Sequence, residues 1–281
     1  MRILITGANG QLGKELVKKC SRNNTVIAMT KDELDVTNQE VVEKRMKQIR
    51  PNTLIHAAAF TAVDQCELEQ KKAFEVNAIG SLNIARAART NDARMFYISS
   101  DYVFDGKKDR PYEEADKPNP TSTYGMSKWL GEQLVQLTVP KSTIIRTSWV
   151  YGHGGKNFVN TMLRLAEQQI EVTVVSDQIG CPTYTSDLAD IIIQLFDKKA
   201  GIYHVSNSGS CSWYEFAKRV FKEAGYDPSM IRPISTEEFG AIAPRPAYSV
   251  FSHDKLVSNG SPLPRRWDEA LIEFIVKERE K

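Results

Sequence analysis

The chain has 281 residues, of which 41% are apolar and 26% charged, and its formal net charge is +2. This length suits one large domain or two, and the composition is that of a folded globular protein. The charge is nearly balanced and no Lys/Arg cluster forms a long stripe, which argues against nucleic acid or a membrane surface as a partner.

The cysteines and histidines are scattered. Cys20, Cys66, Cys181 and Cys211 form no Cys-x-x-Cys pair, and the histidines show no metal-ligand spacing. Scattered thiols favour a reduced compartment. Met1 leads straight into an apolar strand without a basic segment, and no apolar run approaches the ~20 residues of a membrane span. We therefore expect a cytoplasmic protein without a metal site.

A glycine-rich turn follows the first predicted strand. The sequence RILIT (residues 2–6) is strongly apolar, GANGQLG comes next, and a helix follows. Gly7 permits a tight turn, Gly10 lets the backbone approach a pyrophosphate, and Gly13 allows close helix–strand packing. The pattern predicts a dinucleotide site at the helix N-terminus, although a simple turn is the alternative.

The second predicted strand, residues 25–30, ends at Thr30 and Lys31. Folds that select NAD place an acidic residue near this tip, where it binds the ribose 2′-hydroxyl. Here the tip is neutral and then basic, so Lys31 can meet a 2′-phosphate. NADPH is therefore favoured and NADH stays possible, with a solvated loop lysine as the other interpretation.

Three features follow before the centre of the chain. Thr37 and Glu40 have capping-box spacing at the start of a helix. A strand through Leu54 and Ile55 leads into Ala57–Ala59, whose small side chains leave room for a flat cofactor or for tight helix–sheet packing. Residues 64–91 predict one long helical region, in which Asn77 is the notable polar residue.

The central stretch carries the predicted chemistry. An apolar strand, RMFYISS, ends at Ser100 and Asp101, and the later helix YGMSKWLGEQLVQL carries Tyr124 and Lys128. Residues four apart share a helix face, so the Lys128 ammonium is expected beside the Tyr124 phenol and should lower its pKa. Such a phenol exchanges a proton with a carbonyl oxygen, and the Ser100 hydroxyl can hold the same oxygen.

The same spacing occurs a second time, at Tyr214 and Lys218. This copy lies in SCSWYEFAKRVFKEAG, where an apolar stripe at helical period includes Trp213 and indicates packing on a core. Ser212 and Glu215 there predict a capping box. The first copy follows a strand that ends in paired serines, so we assign the chemistry to that copy.

Strands alternate with helices through the buried strand that ends near Trp149. This alternation predicts an α/β fold, a doubly wound parallel sheet of the Rossmann type, with a smaller C-terminal substrate-binding lobe. We expect the dinucleotide-binding domain over 1–150 and the lobe mainly over 151–281, with segments near 171–205 and 244–256 returning to the first domain. Ligands bind at the carboxyl ends of such strands, where the glycine turn, Ser100 and Trp149 all fall.

The motifs GANGQLG, ISSDYVFDG, YGMSK and RTSWVYG resemble those of the extended short-chain dehydrogenase/reductase superfamily. Together with HAAAFTAVDQCE, DQIGCPT and RPAYS they resemble the dTDP-4-dehydrorhamnose reductase family nearly end to end. The resemblance implies an NADPH- or NADH-dependent oxidoreductase that reduces the C4 ketone of dTDP-4-dehydro-L-rhamnose. It also implies a nucleotide-sugar substrate as partner and a monomer or homodimer.

The resemblance also assigns roles to residues by matching motifs. The implied catalytic residues are Tyr124 as proton donor, Lys128 and Ser100, the last standing where the family often has threonine. The implied cofactor-binding residues are Gly7, Gly10, Gln11, Leu12, Gly13, Thr30, Lys31, Asp35, Val36, Ala57, Ala58, Ala59, Tyr124 and Lys128. The implied substrate-binding residues are Ser100, Asp101, Trp149, Asn157 and Arg245. Some relatives have a glutamate-bound magnesium; Ser186 replaces one expected glutamate, so no metal is expected.

Two other functions stay open at this point. A nucleotide-sugar 4-epimerase or dehydratase can use the same scaffold, although dehydratases usually place acidic residues after the active-site hydroxyl, and here Tyr102 follows Asp101. A non-catalytic subunit that resembles the regulatory β subunit of methionine adenosyltransferase is the alternative from another class.

Overall fold

The structure is a computed structural model that describes residues 1–280. Its strands are β1 Arg2–Thr6, β2 Thr25–Met29, β3 Thr53–His56, β4 Arg94–Ser100, β5 Thr143–Thr147, β6 Val150–Tyr151, β7 Val172–Val175, β8 Ile179–Gly180, β9 Thr183–Tyr184, β10 Gly201–His204, β11 Cys211–Ser212 and β12 Ile231–Ile234. Its α-helices are α1 Gln11–Cys20, α2 Gln39–Ile49, α3 Val63–Leu68, α4 Gln70–Phe74, α5 Ser81–Thr90, α6 Thr123–Thr138, α7 Phe158–Glu167, α8 Thr185–Gln194, α9 Trp213–Glu223, α10 Thr236–Phe239, α11 Asp254–Ser258 and α12 Trp267–Arg279.

A parallel sheet of six strands, in the order β2-β1-β3-β4-β5-β10, forms the centre of the molecule. Successive side chains of a strand point to opposite faces. Ile3, Ile5 and Phe96 therefore pack with α1 and α8, while Leu4 and Met95 pack with α2, α5 and α6. The sheet has helices on both faces, and the predicted doubly wound Rossmann fold is confirmed.

The direction of strand order reverses between β1 and β3, and this switch point opens a crevice at the carboxyl ends of the strands. The glycine turn after β1 and Ala57–Ala59 after β3 are both at this crevice. Their position follows from the topology, because all six strands are parallel and their carboxyl ends share one edge.

The C-terminal part of the chain has its own core. Buried residues of α7, α9 and α12, among them Val159, Phe216, Phe221 and Phe274, form this second cluster. Short strand pairs β7–β12, β8–β11 and β6–β9 tie the lobe together. We propose a boundary near residue 150, as the sequence suggests. Of the segments expected to return, β10 joins the main sheet and α8 packs on α1, whereas β7 pairs with β12 instead.

The region 64–91 differs from the single long helix that the sequence predicts. It contains α3, α4, a π-helical stretch over Glu75–Gly80, and α5. The Asn77 amide explains the interruption, because its Oδ1 accepts from the Phe60 N–H at 2.8 Å and its Nδ2 donates to the Phe60 carbonyl at 3.0 Å. These bonds tie the helix to the loop after β3, and π-helical turns often occur at functional sites.

The capping box predicted at Thr37 and Glu40 for α2 is wrong. Asn38, not Thr37, caps the helix, and its Oδ1 accepts from the Val41 N–H at 3.1 Å. Thr37 is unable to serve because its N–H and hydroxyl both bond to Asp35 Oδ1. The capping box predicted at Ser212 and Glu215 is confirmed.

Among the helices of residues 1–280, none is both long and apolar enough to cross a membrane. Over the same residues, no three His, Cys, Asp or Glu side chains gather as a metal site would require.

Candidate active site

One cleft of about 680 Å³ runs along the carboxyl ends of the strands and continues into the C-terminal lobe. It contains most of the residues that the sequence predicts for the site. From the glycine turn to β3, its lining includes Gly7, Gly10, Gln11, Leu12, Gly13, Lys31, Asp35, Val36, Ala57, Ala58 and Ala59. At its other end it includes Ser100, Asp101, Tyr124, Lys128, Trp149 and Asn157.

The glycine turn has no room for side chains. Gly7 has φ +67°, and a Cβ there would lie 2.7 Å from the Ala58 nitrogen, while a Cβ on Gly13 would lie 2.2 Å from the Gly7 oxygen. Gly10 precedes α1 without any side-chain cap, so the first N–H groups of the helix are free to meet an anion. This cradle fits a dinucleotide diphosphate.

Of the two cofactor-binding residues predicted at the end of β2, only one lines the cleft. Lys31 lines the cleft and is exposed, but Thr30 is outside the lining. The Thr30 N–H and hydroxyl both donate to Glu33 Oε2, at 2.8 and 2.9 Å. The structure therefore brings Lys31, and not Thr30, to the end of the cleft where a 2′-phosphate would be bound.

At the opposite end, Ser100, Tyr124 and Lys128 come together from β4 and α6. All three are buried, with 6%, 8% and 2% exposure, and yet line the cleft. Ser122 caps α6 by accepting from the Gly125 N–H, which fixes the first turn that carries Tyr124. The Tyr102 ring packs edge-on against Tyr124, and the Lys128 ammonium lies 4.2 Å from the centroid of the Tyr97 ring.

The expected effect of Lys128 on Tyr124 is wrong for this structure. Burial raises the pKa of the Tyr124 phenol well above 10, and Asp101 adds to the rise while the Ser100 hydroxyl opposes it. Burial also lowers the pKa of Lys128 to about 7, against the opposing effect of Glu132. Loss of water on burial is the largest contribution to both pKa shifts, and Lys128 is not among the groups that lower the pKa of Tyr124. Tyr124 is thus held as a neutral phenol, the form that donates a proton.

Ser99 Oγ and Thr147 Oγ1 are buried polar atoms of residues that line the reactive end, and neither has a hydrogen-bond partner within residues 1–280. Buried polar atoms are rarely left unpaired unless a ligand or water meets them. The Ser100 hydroxyl donates to Asp101 Oδ1 at 3.0 Å, and the Ser249 hydroxyl also hydrogen-bonds to this carboxylate. Burial raises the pKa of Asp101 to about 6. Such a donor and acceptor set suits a polyhydroxylated ligand beside a nicotinamide.

Two predicted substrate residues have other partners. Arg245 makes a bidentate ion pair with Asp64, at 3.0 and 2.9 Å, and is not part of the cleft lining. Its guanidinium is paired with a carboxylate in this structure, and the diphosphate role of Arg245 stays a prediction. Asn157 lines the cleft, but its amide donates to Gln11 Oε1 at 2.8 Å and its Oδ1 caps α7.

The sequence interpretation missed several residues of the cleft, among them Phe60, Val63, Tyr102, Thr147 and Trp213. Trp213 was assigned to the core stripe of its helix. It is the first residue of α9, immediately after the cap, and its ring stacks on Trp149 with centroids 3.6 Å apart. The predicted cap at Ser212 places Trp213 in the first turn of α9, and this was the sequence feature that set Trp213 apart from the rest of the apolar stripe.

Comparisons with known proteins agree with this geometry. The sequence matches the family described as the RmlD substrate binding domain over residues 1–280. It is 50% identical to the spore coat polysaccharide biosynthesis protein SpsK of Bacillus subtilis, over 98% of this chain and 96% of that protein. It is 42% identical to a dTDP-4-dehydrorhamnose reductase of Aggregatibacter actinomycetemcomitans, over 96% of this chain and 97% of that protein.

Solved structures show the same fold. The dTDP-4-dehydrorhamnose reductase of Bacillus anthracis, crystallised in complex with NADP, superposes with a TM-score of 0.96 at 46% identity, over 98% of this chain and 99% of that one. A UDP-glucose 4-epimerase of Thermus thermophilus, at 22% identity and a TM-score of 0.85 over 99% of both chains, shares the fold alone. The chain therefore belongs to the RmlD substrate binding domain family of Rossmann-type oxidoreductases.

Proposed function

We propose that the chain reduces the C4 ketone of dTDP-4-dehydro-L-rhamnose to give dTDP-L-rhamnose, with NADPH as cofactor and Tyr124 as proton donor. The observation that carries the proposal is the neutral, buried Tyr124 phenol beside Ser100 at the end of a cleft that begins at a glycine cradle. The relatives named as dTDP-4-dehydrorhamnose reductases supply the substrate.

Tyr124 gives its proton to the C4 oxygen as negative charge grows there. The Tyr124 phenol holds its proton in the cofactor-free site, because burial raises its pKa, and it is therefore in the form that a general acid requires. The bound reduced nicotinamide supplies the hydride that reaches C4. The dry surroundings strengthen the interaction between the phenol and the growing charge.

Ser100 and Asp101 bind and orient the sugar in this proposal. The Ser100 hydroxyl is at the end of β4, next to Thr147 in the register of β4 and β5. It can turn from Asp101 to donate to the ketone oxygen, and the Asp101 carboxylate, which lines the cleft, accepts from a sugar hydroxyl. Trp149 forms a wall of the sugar site.

Lys128 and the glycine turn hold the cofactor. The Lys128 ammonium faces the cleft from one turn after Tyr124 and is placed to bond to the hydroxyls of the nicotinamide ribose. The free N–H groups at the start of α1 would bind the diphosphate, and Lys31 would meet the 2′-phosphate of NADPH. NADH lacks that phosphate and would bind the same site without the Lys31 contact.

The test is to mix the purified protein with dTDP-4-dehydro-L-rhamnose and NADPH, to follow cofactor absorbance, and to identify the sugar by NMR. We expect one NADPH oxidised per dTDP-L-rhamnose formed. Sugar conversion without net NADPH consumption would identify an epimerase or dehydratase. Absence of turnover, together with co-purification of a synthetase, would identify a regulatory subunit.

A further inference from the structure

The Trp149 indole is held in an unusual way. Its backbone has φ +46°, a left-handed conformation that bulky residues rarely adopt. Its carbonyl accepts from the Thr183 N–H at 3.1 Å, which fixes the peptide after it. A residue in a strained conformation is kept there by its neighbours, and such residues cluster at ligand sites.

Two neighbours enclose the ring. Trp213 stacks on Trp149 with centroids 3.6 Å apart and planes 7° from parallel. Gly180 touches the edge of the ring, because a Cβ there would lie 2.4 Å from Trp149 Cε2 and 2.6 Å from Cζ2. Any side chain at residue 180 would therefore displace the indole.

Gly180 and Trp213 belong to one rigid unit. Gly180 pairs with Cys211 in the antiparallel β8–β11 ladder, and the chain then passes directly through Ser212 into α9. The reciprocal Ser212–Glu215 bonds fix the first turn of α9, and the Phe158 ring packs on the Trp213 ring with centroids 4.6 Å apart. The position of the Trp149 ring is thus set by the C-terminal lobe, although Trp149 itself follows β5.

We propose that Trp213 and Gly180 are positioning residues that hold Trp149 as a wall for the pyranose ring of the nucleotide sugar. Both indoles line the cleft, and Trp149 follows Thr147, which pairs with Ser100 at the reactive end. The wall therefore meets the sugar and not the adenine end near Lys31. Rigid aromatic faces pack well against the C–H groups of a sugar ring. This inference rests on the proposed nucleotide-sugar substrate.

The experiment measures how much the sugar adds to binding. Dissociation constants for dTDP-glucose and for dTDP are compared by calorimetry, in the presence of saturating NADP⁺. The sugar advantage is the Kd for dTDP divided by the Kd for dTDP-glucose. We expect Trp213→Ala to reduce this ratio roughly 3- to 10-fold, while the affinity for NADP⁺ is unchanged. Trp213→Phe should retain most of the advantage, because a stacked ring remains.

Near-UV circular dichroism reports the stack independently. Immobilised indoles in contact contribute a near-UV signal that depends on their packing, and Trp213→Ala and Trp149→Phe should each reduce it. Trp129→Phe is the matched control, since Trp129 is a half-buried indole of α6 outside the stack, and it should preserve both the signal and the sugar advantage.

Gly180→Ala keeps both indoles and tests the same idea if Trp213→Ala fails to fold. The added methyl should change the near-UV signal and lower the sugar advantage. A folded Trp213→Ala or Gly180→Ala protein that keeps the full advantage would overturn the proposal. Because dTDP-glucose has no ketone, this result is separate from turnover: a wild-type protein that reduces no ketosugar defeats the proposed function and leaves the binding test intact.

Discussion

The two Tyr-x-x-x-Lys copies have the same spacing on two helices of the same protein, and their surroundings differ in every respect. In α6 the Lys128 ammonium lies over the ring of Tyr97, a residue of the neighbouring strand. In α9 the Lys218 ammonium lies 5.3 Å from the ring of its own Tyr214, and both are half-buried away from the cleft. Spacing puts two side chains on one helix face, but the neighbouring elements decide what they can do.

The backbones around the two copies explain the difference. Gly125 and Gly131 let the backbone of α6 come very close to its neighbours. A Cβ on Gly125 would lie 2.2 Å from the oxygen of Tyr102, in the short turn after β4, and a Cβ on Gly131 would lie 2.3 Å from the Tyr97 hydroxyl of β4 and 2.5 Å from the Asn77 oxygen of the π-helical turn. The equivalent residues of α9 are Glu215 and Phe221, a capping residue and a core residue. The first helix is thus pressed against the strand ends, whereas the second packs through large side chains on its own lobe.

The largest expected effect is at Tyr124. Tyr124→Phe removes the proposed proton donor and should lower kcat by about 10²- to 10⁴-fold, because a positioned acid contributes about that much. NADPH affinity should be retained. Tyr214→Phe is the matched control and should have wild-type kinetics. Steady-state rates with the ketosugar measure kcat for both variants. Equal losses of kcat would contradict the assignment of the chemistry to Tyr124 and not to Tyr214.

The second prediction concerns the lysines. At pH 6, below the lowered pKa of about 7, Lys128→Met removes a cation proposed to bond to the nicotinamide ribose, and a hydrogen bond to a charged group contributes about 1.5–3 kcal/mol. The Kd for NADPH should therefore rise roughly 10- to 100-fold. Lys218→Met should bind NADPH like the wild type. Fluorescence titration measures both Kd values. An unchanged Kd for Lys128→Met would contradict the proposal that Lys128 binds the nicotinamide ribose.

Local pattern was enough to predict much of the fold and most of the cleft. The apolar runs before Gly7 and Ser100 predict buried parallel strands, and the topology then brings their carboxyl ends to one edge without further information. The sequence was therefore sufficient to predict which polar residues lie at the strand ends. The capping box of α9 could be predicted too, because its hydrogen bonds join residues close in sequence.

Features set by distant contacts could not be predicted. Arg245 pairs with Asp64, which is far away in the sequence, and the pattern around either residue gives no indication of that ion pair. The pKa of Tyr124 depends on how much water the fold excludes, and helix spacing carries no such information. Trp213 falls in an apolar stripe, and only the β8–β11 pairing brings it to Trp149.

A third prediction uses the pH dependence of stability. The pKa of Lys128 is lowered to about 7 in the folded, cofactor-free protein, with Glu132 opposing the effect of burial, so between pH 7 and about 10 the unfolded chain binds a proton that the folded chain lacks. The wild type should gain unfolding free energy relative to Lys128→Met over this range, by up to about 1.4 kcal/mol per pH unit. Below pH 7 the difference should be constant. Urea denaturation at a series of pH values tests this, and a difference independent of pH would contradict it.

The smallest effect tests the close packing of α6 itself. A methyl at Gly131 would lie 2.3 Å from the Tyr97 hydroxyl and 2.5 Å from the Asn77 carbonyl oxygen, so α6 must move away from β4 and the π-helical turn. Overpacking of this kind costs about 1–3 kcal/mol. Gly131→Ala should therefore lower the unfolding free energy by that amount and reduce turnover, because Tyr124 and Lys128 move with the helix. Leu137→Ala, at a position of α6 that is 78% exposed, is the control and should change stability by only about 0.5 kcal/mol. A Gly131→Ala protein as stable and active as the wild type would show that close contact between α6 and the strand ends is not what distinguishes the first copy from the second.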